Sequence, residues 1–143
     1  MEERIIIAED QLINMEVMKS QMKICKKLQF CDICINGEEA LSKATNRIEE
    51  GILKFKASNN KSAGLTQIRP ISLMLLDFQM PRLNGLQVVE GVRTFIRLTN
   101  EKEKVSNLRV EEPRFVFLTA FLTTAFRQHI IKMNIREAYE KPI

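Results

Sequence analysis

At 143 residues, with 45% hydrophobic and 28% charged residues, the sequence has the size and balance of one globular domain with its own core. Its three cysteines give no disulfide framework, no apolar run approaches the roughly 20 residues of a membrane span, and no secretory signal precedes the first strand, so we expect a cytoplasmic chain without membrane contact. The net charge of +4 comes from interspersed Lys and Arg, which argues against nucleic-acid binding and leaves an acidic protein partner open.

Two strands alternate with two helices in the first half of the chain. A β-branched run at 4–8 predicts a strand, which ends at the acidic pair Glu9-Asp10. Apolar residues at steps of three and four then predict a helix from 12 to about 27. A second strand follows at 30–35, and a second helix begins at about Glu38.

The stretch 71–85, with the sequence ISLMLLDFQMPRLNG, is the centre of the chain. Five of the six residues at 71–76 are apolar, which favours a parallel strand covered on both faces. Asp77 follows where that strand ends. Because the carboxyl ends of strands in open α/β sheets are where ligands are bound, this carboxylate is a candidate functional group. The alternative is that Asp77 caps a turn before Pro81 and Gly85.

Polar segments at about 54–69 and 99–112 interrupt this regular alternation. We interpret both as insertions into a single domain spanning 1–143, the first as an extended helix end followed by a loop. Either insertion offers surface for a partner, but a tolerated surface excursion is the favoured explanation for both.

Four further elements complete the chain. A helix follows the central strand, a strand at 114–118 ends at Thr119, another helix follows, and a short last strand at 136–140 precedes Lys141. Five strands alternating with four helices predict a doubly wound parallel sheet.

Polar side chains stand at the ends of four of the five predicted strands. They are Glu9, Asp10, Asp77, Thr119 and Lys141. In the strand order 2-1-3-4-5 of flavodoxin-like folds, the first and third strands lie side by side, so these groups meet in one cleft. Three carboxylates about 4 Å apart would repel by roughly 4 kcal/mol per pair at an effective dielectric of 20. A divalent cation removes that repulsion, and hard oxygen ligands select Mg²⁺, which in turn attracts phosphate oxygens.

At these positions the sequence resembles the response-regulator receiver domains of two-component phosphorelay signalling. The resemblance rests on five segments in the family's order, which are IIIAEDQLINMEV, NGEEAL, LMLLDFQMPRLNGL, FLTA and EKPI. The Ile13-Asn14 step also resembles receivers that are covalently attached to hybrid histidine kinases. The resemblance implies a flavodoxin-like receiver fold, a role in signal transduction, and a histidine kinase or histidine phosphotransfer protein as partner.

The resemblance also implies roles for the acidic residues. Asp77 corresponds to the phosphoacceptor, which receives the phosphoryl group from phosphohistidine. Asp10 corresponds to a direct Mg²⁺ ligand, Glu9 to a ligand through water, and the carbonyl of Gln79 to a further ligand. Such a domain catalyses its own phosphorylation and dephosphorylation but is not a conventional turnover enzyme.

Two residues are implied to bind the phosphoryl oxygens, namely Thr119, which moves inward on activation, and Lys141. The resemblance also implies a cis peptide between Lys141 and Pro142.

Two features depart from the family pattern. The switch aromatic of the family corresponds to Ala138, and Tyr139 lies one place later, on the opposite strand face. The family also continues into a fifth helix, whereas this sequence stops at Ile143. With that helix missing, we expect the sequence to be a fragment or another element to cover the flank of the sheet.

Two alternatives to a phosphoacceptor remain open at this point. One is a degenerate receiver that binds partners independently of phosphorylation, although such chains commonly lose the acceptor or the lysine. The other is an aspartyl-phosphate phosphatase of the haloacid dehalogenase type, which would carry a second acid where this chain has Gln79.

Overall fold

The computed structural model describes residues 3–58 and 64–141. The strands are β1 Ile5–Ala8, β2 Cys31–Cys34, β3 Thr66–Ile68, β4 Leu73–Asp77, β5 Leu108–Val110, β6 Arg114–Thr119 and β7 Glu137–Glu140. The α-helices are α1 Leu12–Ile24, α2 Gly37–Ala57, α3 Gly85–Lys102 and α4 Thr124–Lys132. Short 3₁₀ helices form at Leu28–Phe30 and Glu103–Ser106.

Five parallel strands form the main sheet in the order β2-β1-β4-β6-β7. The predicted order 2-1-3-4-5 is therefore confirmed, with β4, β6 and β7 as the third, fourth and fifth predicted strands. β1 and β4 are neighbours in the centre, where Ala8 pairs with Leu76. The residues that follow β1 and end β4 consequently lie side by side at the carboxyl edge of the sheet.

Both faces of the central strands are covered by helices. On one face Ile5 and Ile7 pack with Met15 and Met18 of α1, whereas alternate residues such as Ile6 join a larger cluster with α2 and α3. This alternation follows from the period of two along a strand. Burying each such isoleucine stabilises the fold by about 1.5–3 kcal/mol, so β1 is firmly fixed where it delivers the acidic pair.

Helix α1 ends at Ile24, earlier than the predicted end near 27. Lys26 adopts a left-handed conformation with φ 59°, and the N–H of Lys27 donates to the carbonyl of Met22 at 2.8 Å. This pattern terminates a helix by satisfying its last carbonyls, so the turn that follows belongs to the link to β2.

The two polar insertions pair with each other. β3 lies in the first and β5 in the second, and they form a separate two-stranded parallel sheet. Leu108 and Val110 anchor this pair in the core, and the Asn100 side chain bonds both the N–H and the carbonyl of Val110. Residues 59–63 of the first insertion lie outside the described part of the chain. Across the described ranges, no helix is long and apolar enough to cross a bilayer.

Candidate functional site

Carboxylates from two neighbouring strands meet at the carboxyl edge of the main sheet. Glu9 and Asp10 follow β1, Asp77 ends β4, and one carboxylate oxygen from each lies within 4.8 Å of the others. Glu9 is 1% exposed and Asp77 is 4% exposed, whereas Asp10 is open to solvent. The cluster is therefore sealed on one side and accessible from the side of Asp10.

Lys141, which follows β7, brings a positive charge into the cluster. Its Nζ lies 2.8 Å from Glu9 Oε2 and 2.9 Å from Asp77 Oδ2, and its side chain is mostly shielded from water. The backbone N–H of Lys141 donates to the carbonyl of Thr119 at 2.8 Å, which fixes the lysine beside β6. Three carboxylates thus face one ammonium, and an excess of negative charge remains.

Glu9 is oriented by backbone groups on both sides. Its N–H donates to the carbonyl of Cys34 on β2 at 3.1 Å, and its Oε1 accepts from the N–H of Gln11 at 3.1 Å. These bonds direct Oε2 toward Lys141. The carboxylate is therefore held in place by the fold.

The charges shift the protonation of the cluster. Burial raises the pKa of Asp77 from its ordinary 3.8 to about 7, because it outweighs the hydrogen bond from Lys141, and the neighbouring Asp10 and Glu9 raise it further. Burial opposes the charge on Lys141, but its ion pairs with Glu9 and Asp77 outweigh burial and raise its pKa. The cluster thus favours additional positive charge, either a proton or a cation.

The donor set fits a small divalent cation. Within the described ranges, Glu9 Oε2 is the one buried side-chain oxygen or nitrogen that accepts or donates no hydrogen bond of acceptable geometry, although Lys141 lies close enough for an ion pair. An incompletely satisfied buried oxygen beside two further carboxylates is suited to a metal that takes hard oxygen ligands.

The loop after β4 is fixed close to Asp77. The N–H of Gln79 donates to Asp77 Oδ1 at 3.2 Å, and the N–H of Phe78 donates to the carbonyl of Leu118 at 2.8 Å. The Gln79 side chain is exposed. The role of the Gln79 carbonyl as a metal ligand stays a prediction.

Two glycines allow neighbouring helices to start against this loop. A Cβ at Gly85, the first residue of α3, would lie 2.9 Å from the carbonyl oxygen of Asp77. A Cβ at Gly37, the first residue of α2, would lie 2.0 Å from the carbonyl oxygen of Leu83. The loop is therefore held between two helix starts that tolerate no side chain.

Thr119 lies at the same edge of the sheet, but its hydroxyl contacts its own loop. Leu118 pairs with Asp77, so Thr119 is one residue farther toward the edge. Its Oγ1 lies 3.4 Å from both the N and the O of Phe121. The predicted phosphoryl contact of Thr119 thus requires a change in the hydroxyl's position. Pro142, and with it the predicted cis peptide, lies outside the described residues.

Sequence reasoning missed one contact of this loop. Glu140 on β7 accepts a hydrogen bond from the N–H of Leu122, with its Oε1 at 3.0 Å. Ala138 is buried and Tyr139 is half exposed, as their alternation on the strand predicts. Since residues two apart share a strand face, the spacing of Ala138 and Glu140 is the signal that could have identified this contact.

The metal-free protein should lose stability as pH rises. The folded state keeps a proton on Asp77 up to a pKa of about 7, whereas the unfolded chain releases it near 3.8. This contribution is therefore fully present below 3.8 and is lost as pH rises through 7, by on the order of 4 kcal/mol over the whole range. Urea unfolding in the presence of chelator, at pH 5 and at pH 8, measures this loss of stability. The pH effect should shrink in Asp77→Asn and with added Mg²⁺; an equal slope in wild type and Asp77→Asn would contradict it.

Comparison with known proteins gives a structural match. No protein-family profile and no curated protein sequence matches the chain. It is similar to a chain of the CheX-CheY-BeF3-Mg complex from Borrelia burgdorferi, with a TM-score of 0.62 and 16% identity over 99% of this chain and 79% of that chain. It is also similar to the receiver domain of the histidine kinase CKI1 from Arabidopsis thaliana with Mg²⁺ and BeF3⁻, with a TM-score of 0.63 and 18% identity over 97% and 80% of the two chains.

A third similar structure contains a phosphotransfer protein. It is the co-crystal of the Saccharomyces cerevisiae histidine phosphotransfer signaling protein Ypd1 with the receiver domain of the response regulator Ssk1. The TM-score is 0.65, with 20% identity over 99% of this chain and 80% of that chain. These matches confirm the predicted resemblance at the level of the fold, which is that of response-regulator receiver domains.

Proposed function

We propose that this chain is a phosphoacceptor receiver domain of a two-component phosphorelay, which takes a phosphoryl group from phosphohistidine onto Asp77. The observation that carries the proposal is the cluster of Glu9, Asp10 and Asp77 within 4.8 Å, with the Lys141 ammonium 2.9 Å from Asp77. A turn-capping aspartate would need neither the two neighbouring acids nor the buried lysine. The receiver fold supports the same function.

The chain's own residues position the acceptor and neutralise charge. Asp77 Oδ1 is oriented by the N–H of Gln79, and Oδ2 faces Lys141. In the transfer, a carboxylate oxygen of Asp77 attacks phosphorus as the P–N bond to the histidine breaks, and the imidazole leaves with the bond's electron pair and keeps its ring proton. Such a reaction is accelerated mainly by alignment and by charge stabilisation. Lys141 supplies the fixed positive charge, and Thr119 supplies a hydroxyl for the transferred group.

We propose Mg²⁺ as the cofactor, held by Asp10, Asp77, the carbonyl of Gln79, and Glu9 through water. When bound, the ion would neutralise the excess negative charge and attract the phosphoryl oxygens. Asp10 is suited to direct coordination because it is the exposed member of the cluster, whereas Glu9 lies beneath it against Lys141. The Borrelia and Arabidopsis structures, which contain magnesium and BeF3, support this assignment.

The proposed partner is a histidine kinase or a histidine phosphotransfer protein. The Ssk1 receiver, which has the same fold, was solved together with such a phosphotransfer protein. In this chain Leu12 and Ile13 at the start of α1 are 75% and 80% exposed. They follow the acidic pair closely and offer apolar surface beside the cluster, where a phosphohistidine donor must approach.

Trapping the phosphorylated residue tests the function. The protein is incubated with Mg²⁺ and a phosphorylated histidine phosphotransfer protein, and borohydride then converts any aspartyl phosphate to homoserine. We expect peptide mass spectrometry to find homoserine at position 77 alone. Homoserine at another aspartate, or at none while the donor is competent toward a known receiver, would contradict the proposal.

Gln79 should control how long the phosphoryl group persists. Gln79 follows the acceptor by two residues and its side chain is exposed, so we expect it to lie beside the path by which water would attack phosphorus. We expect Gln79→Ala to dephosphorylate at least about threefold faster, because the variant keeps the backbone bond to Asp77 but opens that path. Decay of the radiolabelled phosphoprotein measures the rate. The matched control is Gln128→Ala, an exposed glutamine on α4; a Gln79→Ala rate equal to wild type would rule out this role.

A further inference from the structure

The loop between β6 and α4, residues 120–123, is tied to the end of β7 by one charged side chain. Glu140 Oε1 accepts from the N–H of Leu122 at 3.0 Å. In the strand pairing Glu140 stands opposite Thr119, the residue from which the loop departs. A carboxylate on a backbone N–H is a charge-assisted bond, stronger than a bond between neutral groups.

The shape of β7 explains why Glu140 reaches the loop. Ala138 and Glu140 lie on the same strand face. Ala138 packs in the core cluster that contains Phe117 and Ile130, and it fills little space there. Glu140, two residues later, leaves the core at the edge of the sheet and is exposed, so its carboxylate is free to turn toward the loop.

In the first half of the loop, the other polar contacts are longer than the bond between Leu122 and Glu140. The Thr119 hydroxyl lies at 3.4 Å from the backbone of Phe121, which is at the limit of a hydrogen bond. The Phe121 side chain is 78% exposed, so it does not anchor the loop by packing. At its other end, Thr123 caps α4 by accepting from the N–H of Phe126 at 3.1 Å. The bond from Leu122 to Glu140, at 3.0 Å, is thus the shortest polar contact between the Thr119 end and the helix cap, and the Leu122 side chain itself packs against the main core cluster.

We propose that Glu140 is a latch that holds the loop in its unphosphorylated position. This inference rests on the proposed function. For its hydroxyl to reach a phosphoryl group on Asp77, Thr119 must leave Phe121, and the loop must move with it. Leu122 directly follows Phe121 in the chain, so that movement weakens the hydrogen bond from the Leu122 N–H to Glu140. The latch therefore favours the unphosphorylated loop and makes the phosphorylated state harder to reach.

Two variants separate the latch from a merely structural role. Glu140→Ala removes the acceptor, whereas Glu140→Gln keeps an amide oxygen at the same reach. With Mg²⁺ and beryllofluoride, an acyl-phosphate mimic, we expect Glu140→Ala to bind the mimic roughly three- to tenfold more tightly than wild type. The affinity of Glu140→Gln for the mimic should lie between those of wild type and Glu140→Ala. In the metal-free protein, the amide hydrogen of Leu122 should exchange faster in Glu140→Ala and stay protected in Glu140→Gln. Glu101→Ala, at an exposed glutamate of α3, is the control.

The outcomes distinguish a failure of the proposed latch from a failure of the proposed receiver function. Equal or weaker binding of beryllofluoride by Glu140→Ala, while wild type binds it, overturns the latch and leaves the receiver function standing. Unchanged exchange at Leu122 in Glu140→Ala also overturns the latch. Failure of wild type to bind beryllofluoride at all contradicts the proposed function, and the latch falls with it.

Discussion

Replacing Asp77 with asparagine is expected to abolish phosphoryl acceptance, by more than about 100-fold, while the fold is retained. An amide of the same size fills the same space but has no anionic oxygen to attack phosphorus. The variant should be at least as stable as wild type in chelator at pH 8, because it removes a buried carboxylate whose pKa is raised to about 7. Transfer from a phosphorylated histidine donor, followed with radiolabelled phosphate, measures the loss.

Asp32→Asn is the matched control for this experiment. Asp32 lies on β2, where Arg47 binds it through Nε at 2.7 Å and Nη2 at 2.8 Å. It is a partly buried aspartate with a cationic partner, as Asp77 is, but it lies outside the acidic cluster. Asp32→Asn should therefore accept phosphate at the wild-type rate. Acceptance by Asp77→Asn at a rate near that of Asp32→Asn would exclude Asp77 as the acceptor.

Lys141→Ala is expected to have the largest effect on stability. It removes the ammonium that lies 2.8 Å from Glu9 and 2.9 Å from Asp77, both of which are buried. Breaking a buried ion pair on one side costs about 3–5 kcal/mol, because the remaining charge loses its compensation. We expect a loss of this size in urea unfolding at pH 8 with chelator. Added Mg²⁺ should restore part of the stability, but phosphoryl acceptance should stay strongly reduced.

A surface lysine provides the comparison. Lys27 pairs with Glu3 at 2.6 Å, and both side chains are 43% exposed. Exposed pairs of this kind contribute at most about 1 kcal/mol, so Lys27→Ala should be nearly neutral. If Lys141→Ala costs no more than Lys27→Ala, then Lys141 does not compensate the two buried carboxylates.

The main sheet and the acidic cluster could be predicted because both depend on where runs of apolar residues begin and end along the sequence. A run of apolar residues fixes where a buried strand lies, and the first polar residue after it fixes what reaches the sheet edge. The prediction that Asp77 and the Glu9-Asp10 pair meet also uses the strand order of flavodoxin-like folds; in the structure one carboxylate oxygen from each lies within 4.8 Å of the others. Lys141 is different, because the last strand, Glu137–Glu140, contains no apolar run; its place at the sheet edge is predicted from the alternation of strands and helices and from the resemblance of EKPI.

The features that the sequence did not predict depend on short or local contacts. β3 and β5 contain three residues each, too few for a period to be recognised, and they exist because the two insertions pair with each other. The contact of Glu140 with Leu122 depends on how the loop leaves β6, and the turn of the Thr119 hydroxyl toward Phe121 depends on the same local geometry. Hydrophobic pattern carries no information about either.

Binding of beryllofluoride followed by fluorine NMR tests the central claim most directly, since it requires the acids, the cation and the lysine to act together on one phosphoryl mimic. We predict that one mimic binds per chain with Mg²⁺ present, and that the bound signal disappears with chelator and in Asp77→Asn. A bound signal that persists without Mg²⁺, or no bound signal at saturating Mg²⁺ and beryllofluoride, would contradict it.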